Sequence, residues 1–279
     1  MSAPLMRYGL VGYPVAHSFS AAMHNAAFVH YGLNAGYELF EVPPAGLLEF
    51  LKSLPRQGIA GVNVTIPHKE QAMAALSGCS AEAAAIGAVN TISVTAAGDL
   101  YGYNTDCLGF SRHIGELRID VSVAGLIGAG GAARAAAAAL AERGCRCLTI
   151  YDIDEQKSAA LAERMQRQFP ACRSTAVSTV RQLCAAAVNL LVNTSPIGMK
   201  PTDPLLVEPH WLPTGAFIYD VIYNPPQTAL LRMAAQQGFA VSNGISMLLY
   251  QGMEAFERWI GRPAPEAVMR QALAKEMNK

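Results

Sequence analysis

A chain of 279 residues, 52% of them apolar and 15% charged, is long enough for two domains with cores of their own and excludes a disordered polymer. The 21 basic residues equal the 21 acidic ones, so no whole-chain field steers it toward nucleic acid or an anionic membrane. No stretch approaches the ~18 apolar residues of a membrane span, no signal segment is expected at the N-terminus, and the six cysteines, of which Cys145 and Cys147 stand too close for a CxxC motif, are expected as free thiols in a reducing cytoplasm.

Residues 6–11 are expected as a first strand, closed by Gly12-Tyr13-Pro14, followed by a helix over 20–31 with Gly32 just beyond its end. A strand over 37–42, a helix over 44–54 and a strand over 59–65 come next, and Pro67 is expected to open a third helix, where proline is tolerated. This β-α-β-α-β-α order predicts an α/β domain in its own right. Residues 88–94 and 100–103 are expected as short strands about the Ala97-Gly98-Asp99 turn, with a helix from Asp106 to about Leu117. A second set begins at 121: strand 121–127, an alanine-rich helix 132–141, strand 148–152, helices 154–168 and 179–186, strands 189–193 and 216–221, helix 228–237 and a short strand 239–241. The last 35 residues read as helix, broken at Gly261-Arg262-Pro263.

The turn between strand 121–127 and its helix is Gly128-Ala129-Gly130-Gly131-Ala132-Ala133. In this GxGxxA pattern Gly128 permits the tight turn, Gly130 lets the backbone approach a pyrophosphate, and Ala133 lets the helix pack close on the strand. A phosphate there meets the free N–H groups and the dipole of the helix start. Asp152 ends the next strand 24 residues after Gly128, where a carboxylate accepts hydrogen bonds from an adenosine ribose and repels a 2′-phosphate. An ordinary strand-to-helix turn is the plain alternative for the glycines alone; the flanking strands and the acid weigh against it. The segment Tyr151-Asp152-Ile153-Asp154 holds no arginine and adds a second acid, and two like charges ~4 Å apart repel by about 4 kcal/mol at an effective dielectric of 20. NAD is therefore favoured, with NADP left open, and Lys157 is read as a solvated helix residue.

Four polar motifs lie in the first 106 residues. Ser18 and Ser20, before a helix, either hold a carboxylate with two hydroxyls or include a simple helix cap at Ser20. In Asn63-Val64-Thr65-Ile66-Pro67-His68-Lys69 the lysine falls in the first turn of the expected helix, where the dipole disfavours a cation, which points to a specific carboxylate partner or a function, with a solvated lysine as the plain alternative. Gly87-Ala88-Val89-Asn90-Thr91 and Asn104-Thr105-Asp106 add amides, hydroxyls and one acid; Asp106 alone is most often a helix cap. The six histidines do not fall at zinc-ligand spacings, no metal is expected, and structural roles are assigned to them. Together these groups suit a polyhydroxylated carboxylate with one proton-transfer pair.

These segments, with Asn193-Thr194-Ser195-Pro196-Ile197-Gly198-Met199, Asp220-Val221-Ile222-Tyr223-Asn224-Pro225 and Gly244-Ile245-Ser246-Met247-Leu248-Leu249-Tyr250-Gln251, resemble the shikimate dehydrogenase family in order and over nearly the whole chain. The resemblance implies reversible oxidation of shikimate to 3-dehydroshikimate with a nicotinamide dinucleotide. It implies Lys69 and Asp106 as the catalytic pair, and Ser18 and Ser20 as the carboxylate site with Tyr223 nearby. Asn63, Thr65, Asn90 and Gln251 would hold ring hydroxyls. Gly128, Ala129, Gly130, Gly131, Ala132 and Asp152 would bind the cofactor, and Asn193, Thr194, Ser195, Met199, Val221, Gly244 and Met247 would lie along it or the cleft. The expected fold is α/β with two domains: a substrate domain over 1–106, joined by C-terminal helices 245–279 that return to it, and a Rossmann-type dinucleotide domain over 107–244, with a cleft between them. A monomer or homodimer is expected, without a nucleic-acid or membrane partner.

Some positions depart from the family pattern. Many members carry Asn-Arg-Thr where this chain has Asp152-Ile153-Asp154, which points to the NAD-using quinate/shikimate branch, whereas the serine pair resembles the shikimate-selective pattern. Ala21 stands for the usual proline and Gly252 for the usual alanine, both at the carboxylate end of the pocket. An NAD-dependent quinate dehydrogenase, a related enzyme acting on a folate or amino acid, and a non-catalytic sensor of shikimate-like ligands or NAD stay open; the serine pair argues against the second and an intact Lys69/Asp106 pair against the third.

Overall fold

The computed structural model describes residues 5–278. The chain divides into two compact units, one running to Gly109 and resumed from Leu248, the other Phe110–Met247.

The first unit begins with β1 (Met6–Gly12), α1 (Ser20–His30), β2 (Ala35–Glu41), α2 (Leu47–Ser53) and β3 (Ile59–Val64), and continues with β4 (Gly78–Cys79), α3 (Ala81–Ile86), β5 (Thr91–Val94), β6 (Leu100–Tyr103) and α4 (Thr105–Leu117), which runs into the second unit. Its six-stranded sheet has the order β2-β1-β3-β5-β6-β4. β1 pairs in parallel with β2 and β3, while β5 runs antiparallel to both β3 and β6. Val11, Val62, Val64 and Ile92 of the sheet bury against Leu47, Leu51 and Leu54 of the α2 segment. The register Val11↔Val64 and Asn63↔Thr91↔Tyr103 brings the ends of β1, β3 and β6 and the start of β5 to one edge.

The expected helix at Pro67 does not form. The Lys69 carbonyl accepts the Val89 N–H at 2.9 Å and the Thr65 carbonyl accepts the His68 N–H at 2.9 Å, leaving only a short 3-10 turn over Gln71–Ala75. The chain uses these groups to tie β3 to the segment before β5. The same tie delays the expected strand 88–94, which starts only at Thr91. α3 lies outside the expected elements; Ser80 caps it, accepting the Ala83 N–H at 3.1 Å.

The second unit carries β7 (Val123–Ile127), α5 (Gly131–Glu142), β8 (Cys147–Tyr151), α6 (Glu155–Gln168), β9 (Arg173–Val177), α7 (Val180–Ala185), β10 (Leu190–Asn193), β11 (Phe217–Asp220), α8 (Ala229–Gln236) and β12 (Val241–Ser242). All its strands are parallel, in the order β12-β11-β10-β7-β8-β9. This is the doubly wound Rossmann arrangement, whose order reverses between β7 and β10. β9 is also additional to the expected elements, because an edge strand of the composition Arg-Ser-Thr-Ala-Val carries little apolar alternation. The last helices are α9 (Ile245–Ile260), within which the chain passes back to the first unit, and α10 (Glu266–Met277), which packs on α1. No helix of the described residues is long and apolar enough to cross a membrane.

Candidate active site

In open α/β sheets the groups that meet ligands gather where parallel strands end. In the first unit that edge carries Ser18 and Ser20 after β1, Asn63 and Thr65 at the end of β3, Asn90 before β5, and Asp106 after β6. Lys69 reaches the same edge from the loop after β3, and its Nζ lies 2.5 Å from Asp106 Oδ2. Both side chains are largely buried, 13% and 7% exposed. With no helix at Lys69, no dipole opposes its charge; the carboxylate partner is what marks it. Buried His68 anchors the loop by donating its Nε2–H to the Val42 carbonyl at 2.7 Å. Asp106 does not cap α4: Asn104 does, accepting the Cys107 N–H at 3.1 Å, which leaves the acid for the lysine.

A buried chain of amides and hydroxyls continues from this pair. Asn90 Oδ1 accepts the Thr105 N–H at 2.6 Å, and its Nδ2 donates to Thr105 Oγ1 at 3.0 Å and Gln251 Oε1 at 3.3 Å. Asn63 Nδ2 donates to Thr91 Oγ1 at 2.9 Å and to the Asn90 carbonyl, and its Oδ1 accepts from the Tyr37 hydroxyl at 2.7 Å. Gln251 donates one Nε2–H to the Leu248 carbonyl at 2.8 Å, which leaves its second amide hydrogen for an alcohol oxygen. Tyr37, Thr91 and Thr105 hold these amides, a role that sequence reasoning missed; a buried tyrosine on an alternating strand looks like any core aromatic. Ser18 Oγ lies 3.2 Å from Ser20 Oγ and accepts the Ser20 N–H at 3.3 Å, and Ser20 makes no side-chain cap. Thr65, just past β3, is half-buried, its N–H on the Val11 carbonyl. Where Gly252 stands, a Cβ would lie 2.1 Å from Met23 Cε: the methionine fills the space of the family's usual alanine.

In the second unit the strand ends carry the glycine turn, Asp152, Asn193–Ser195, Val221 and Gly244. Gly128 has φ +109°, a conformation L side chains rarely adopt, and a Cβ there would meet Thr194 Oγ1 at 2.8 Å. Thr194 in turn donates to the Ile127 carbonyl at 2.8 Å, so it braces the turn. Asp152 takes the Ala129 N–H on Oδ2 at 2.7 Å and the Asp154 N–H on Oδ1 at 2.9 Å. The start of α5, at Gly131 and Ala132, has no side-chain cap, and a Cβ on Gly130 would face open space. First-turn N–H groups without intrahelical acceptors, open space over Gly130 and a neighbouring acid fit a dinucleotide's pyrophosphate and ribose.

Asn193 is fully buried. Its Nδ2 donates to the Ile197 carbonyl and Asp220, and its Oδ1 accepts the Ser195 N–H and hydroxyl. It therefore shapes the loop and has no amide hydrogen left for a ligand. Asp203, which sequence reasoning missed, holds Met199 by accepting the Gly198 and Lys200 N–H groups at 2.9 Å each. Tyr223 is half-buried, Met199 exposed and Met247 buried in this unit. Among the described residues no group of three or more His, Cys, Asp or Glu is gathered for a metal ion.

Gly244 is the tightest position: a Cβ would lie 2.0 Å from the Val221 carbonyl oxygen and 2.6 Å from its carbon. Backbone cannot yield as a side chain does, so Gly244→Ala is expected to cost about 3 kcal/mol and to lower Tm by at least ~5 °C. Thermal melts of the two proteins check this, and an unchanged Tm would refute the contact.

Two family models match the chain: the shikimate dehydrogenase substrate binding domain over residues 10–92 and the shikimate 5′-dehydrogenase C-terminal domain over 244–274. A shikimate dehydrogenase (NADP(+)) of Symbiobacterium thermophilum is 42% identical over 95% of this chain and 92% of its own length. The crystal structure of shikimate 5-dehydrogenase from Thermus thermophilus with NADP(H) and shikimate is 36% identical, covers 97% of this chain and 99% of that one, and superposes with a TM-score of 0.84. The Listeria monocytogenes enzyme, crystallised with shikimate and NAD, is 30% identical with a TM-score of 0.83 over 96% of each chain. The substrate-domain match takes in Asn63, Lys69 and Asn90, the relatives run the length of both units, and the chain therefore belongs to the shikimate dehydrogenase family.

Proposed function

We propose that this protein catalyses the reversible oxidation of shikimate to 3-dehydroshikimate with a nicotinamide dinucleotide, and that NAD is preferred to NADP. The observation that carries the reading is the Lys69–Asp106 pair, 2.5 Å apart on the edge that also holds Asn63, Asn90 and Gln251. When bound, the dinucleotide supplies the acceptor for the hydride that leaves the carbinol carbon.

The chain's own residues manage the proton and the orientation. As hydride leaves carbon, the O–H proton must leave oxygen, and Lys69 Nζ, in its neutral form, takes it; in the reverse direction the ammonium returns it. Asp106 holds Nζ in place and accepts the substrate hydroxyl's hydrogen bond until that proton passes to Nζ. Gln251 donates to a neighbouring ring oxygen, Asn63, Thr65 and Asn90 frame the hydroxyls, and Ser18 and Ser20, with Tyr223, serve the carboxylate. Gly128, Ala129, Gly130, Gly131 and Ala132 serve the pyrophosphate, with Ser195, Met199, Val221, Gly244 and Met247 along the dinucleotide. Asn193 and Thr194 serve it through the loops they hold.

The preference for NAD rests on Asp152. Asp154 caps α6, and Lys157 Nζ stands 3.8 Å from its carboxylate and offsets its charge, so Asp152 is the acid that opposes a 2′-phosphate. The Symbiobacterium relative is named for NADP(+) and the Listeria structure holds NAD; neither choice is foreign to the family. Initial rates with shikimate and quinate, each with NAD and NADP, test the reading. Shikimate with NAD is expected to dominate. Quinate dominance would reassign the substrate, NADP dominance would overturn the role given to Asp152, and four silent reactions would point to another substrate or to a sensor. In the same assay Asp152→Ala is expected to raise KM for NAD about tenfold and KM for NADP less, because both lose the brace on Ala129 but only NAD loses a favourable ribose contact.

A further inference from the structure

Asp220, at the end of β11, is fully buried, and its three partners are all neutral. Oδ1 accepts the Asn193 Nδ2–H at 3.1 Å and the Ile222 N–H at 3.0 Å, and Oδ2 accepts the Thr228 hydroxyl at 2.7 Å. Each partner belongs to a different segment. Asn193 shapes the loop that begins after β10 and runs through Ser195 to Ile197, Ile222 lies in the loop after β11 between Val221 and Tyr223, and Thr228 caps α8 by accepting the Leu231 N–H. One carboxylate thus fastens three backbone segments at the edge where Ser195, Val221 and Gly244 gather, and the Val221 N–H itself rests on the Asn193 carbonyl at 3.0 Å. Burial pushes the Asp220 carboxyl up to about 6, against three hydrogen bonds that lower it. An anion placed there without a cation costs stability, and residues kept at such a cost tend to serve a site.

We infer that Asp220 is a positioning residue for the dinucleotide: it acts through Asn193, Ile222 and Thr228 to fix the loops after β10 and β11 in their binding shape. The inference rests on the dinucleotide reading above. It requires an acceptor facing Asn193 and Ile222 and a polar partner facing Thr228. Asparagine meets that demand, since its Oδ1 replaces the acceptor and its Nδ2 donates to the Thr228 hydroxyl, which also accepts. Alanine does not.

The test measures NADH and shikimate binding separately by titration, with Tm for each protein. Asp220→Ala is expected to weaken NADH binding at least tenfold and shikimate binding, which draws on the loop after β11 only through Tyr223, by a smaller factor, and Asp220→Asn to restore NADH binding to within threefold of the original protein. Thr228→Val, which removes only the Oδ2 partner, is expected to weaken NADH binding by a smaller factor and serves if the alanine variant does not fold. Unchanged NADH affinity in folded Asp220→Ala or in Thr228→Val overturns the inference, as does equal loss of both ligands, which marks a general structural role. If the unaltered protein binds neither NADH nor NADPH, the dinucleotide reading itself has failed, and the inference with it; if it binds only NADPH, the same comparisons are made with NADPH.

Discussion

Lys69→Ala is expected to lower kcat about 1,000-fold, ~4 kcal/mol of the barrier, while shikimate still binds. In the proposed mechanism the substitution removes the group that exchanges a proton with the carbinol oxygen and leaves the ring-hydroxyl contacts proposed for Asn63, Asn90 and Gln251 standing. It also leaves Asp106, 7% exposed, without its cation, and stripping one partner from a buried pair is destabilising. The two effects separate in the double variant Lys69→Ala/Asp106→Asn. There the buried charge is gone, so Tm is expected to recover relative to the single variant, while turnover stays as low. Recovery of turnover together with Tm would mean that the single variant failed through folding and that Lys69 does not act on the proton. Near-original turnover in the single variant, at a temperature where it is folded, would exclude Lys69 just as firmly.

Features that a local rule demands are legible in the amino-acid order alone. Gly128 stands where a strand turns directly into a helix, only glycine adopts φ +109° there at little cost, and Asp152 follows at the distance one helix and one strand require. Long periodic helices such as α6 and α9 are equally plain. Segments whose backbone bonds go to distant partners mislead. Nothing local to Pro67 says that the Lys69 carbonyl is claimed by Val89, so a proline that suits a first helical turn points to a helix that never forms. The same non-local bonding hides the division of labour within motifs. Asn104 and Asp106 both resemble caps, and only the Cys107 N–H on Asn104 shows which one is free for Lys69. Asn193 and Ser195 are two residues apart, yet the first is buried and bound at every amide position. A motif in the sequence brings such residues to one edge without saying which touch a ligand and which hold the others.

Below pH 6.5 the protein is expected to lose about 1.4 kcal/mol of stability per pH unit through one buried residue, His24. The imidazole lies in the core of the first unit, stacked on the Tyr37 ring at 4.4 Å with planes 1° apart, and neither of its nitrogens has a hydrogen-bond partner. Burial lowers it from 6.5 to about 3. The unfolded chain therefore binds a proton near pH 6.5 that the folded protein refuses until about pH 3, so stability is fully present above 6.5 and falls as pH drops through that window. Asp220 runs the other way. Its folded carboxyl, raised from 3.8 to about 6, keeps its proton longer than the unfolded one, so its cost is absent at low pH and grows as pH rises from 3.8 to 6. The two slopes oppose each other in the unaltered protein. His24→Phe keeps a ring against Tyr37 and removes the titrating nitrogen. Urea melts of both proteins at pH 7.5 and pH 5.0 isolate the contribution of His24: the variant is expected to gain about 2 kcal/mol on the original between the two pH values. Any offset from repacking the larger ring appears at both pH values and cancels in the comparison. A stability difference that is the same at both would show that His24 takes up its proton in the folded core as readily as in the unfolded chain.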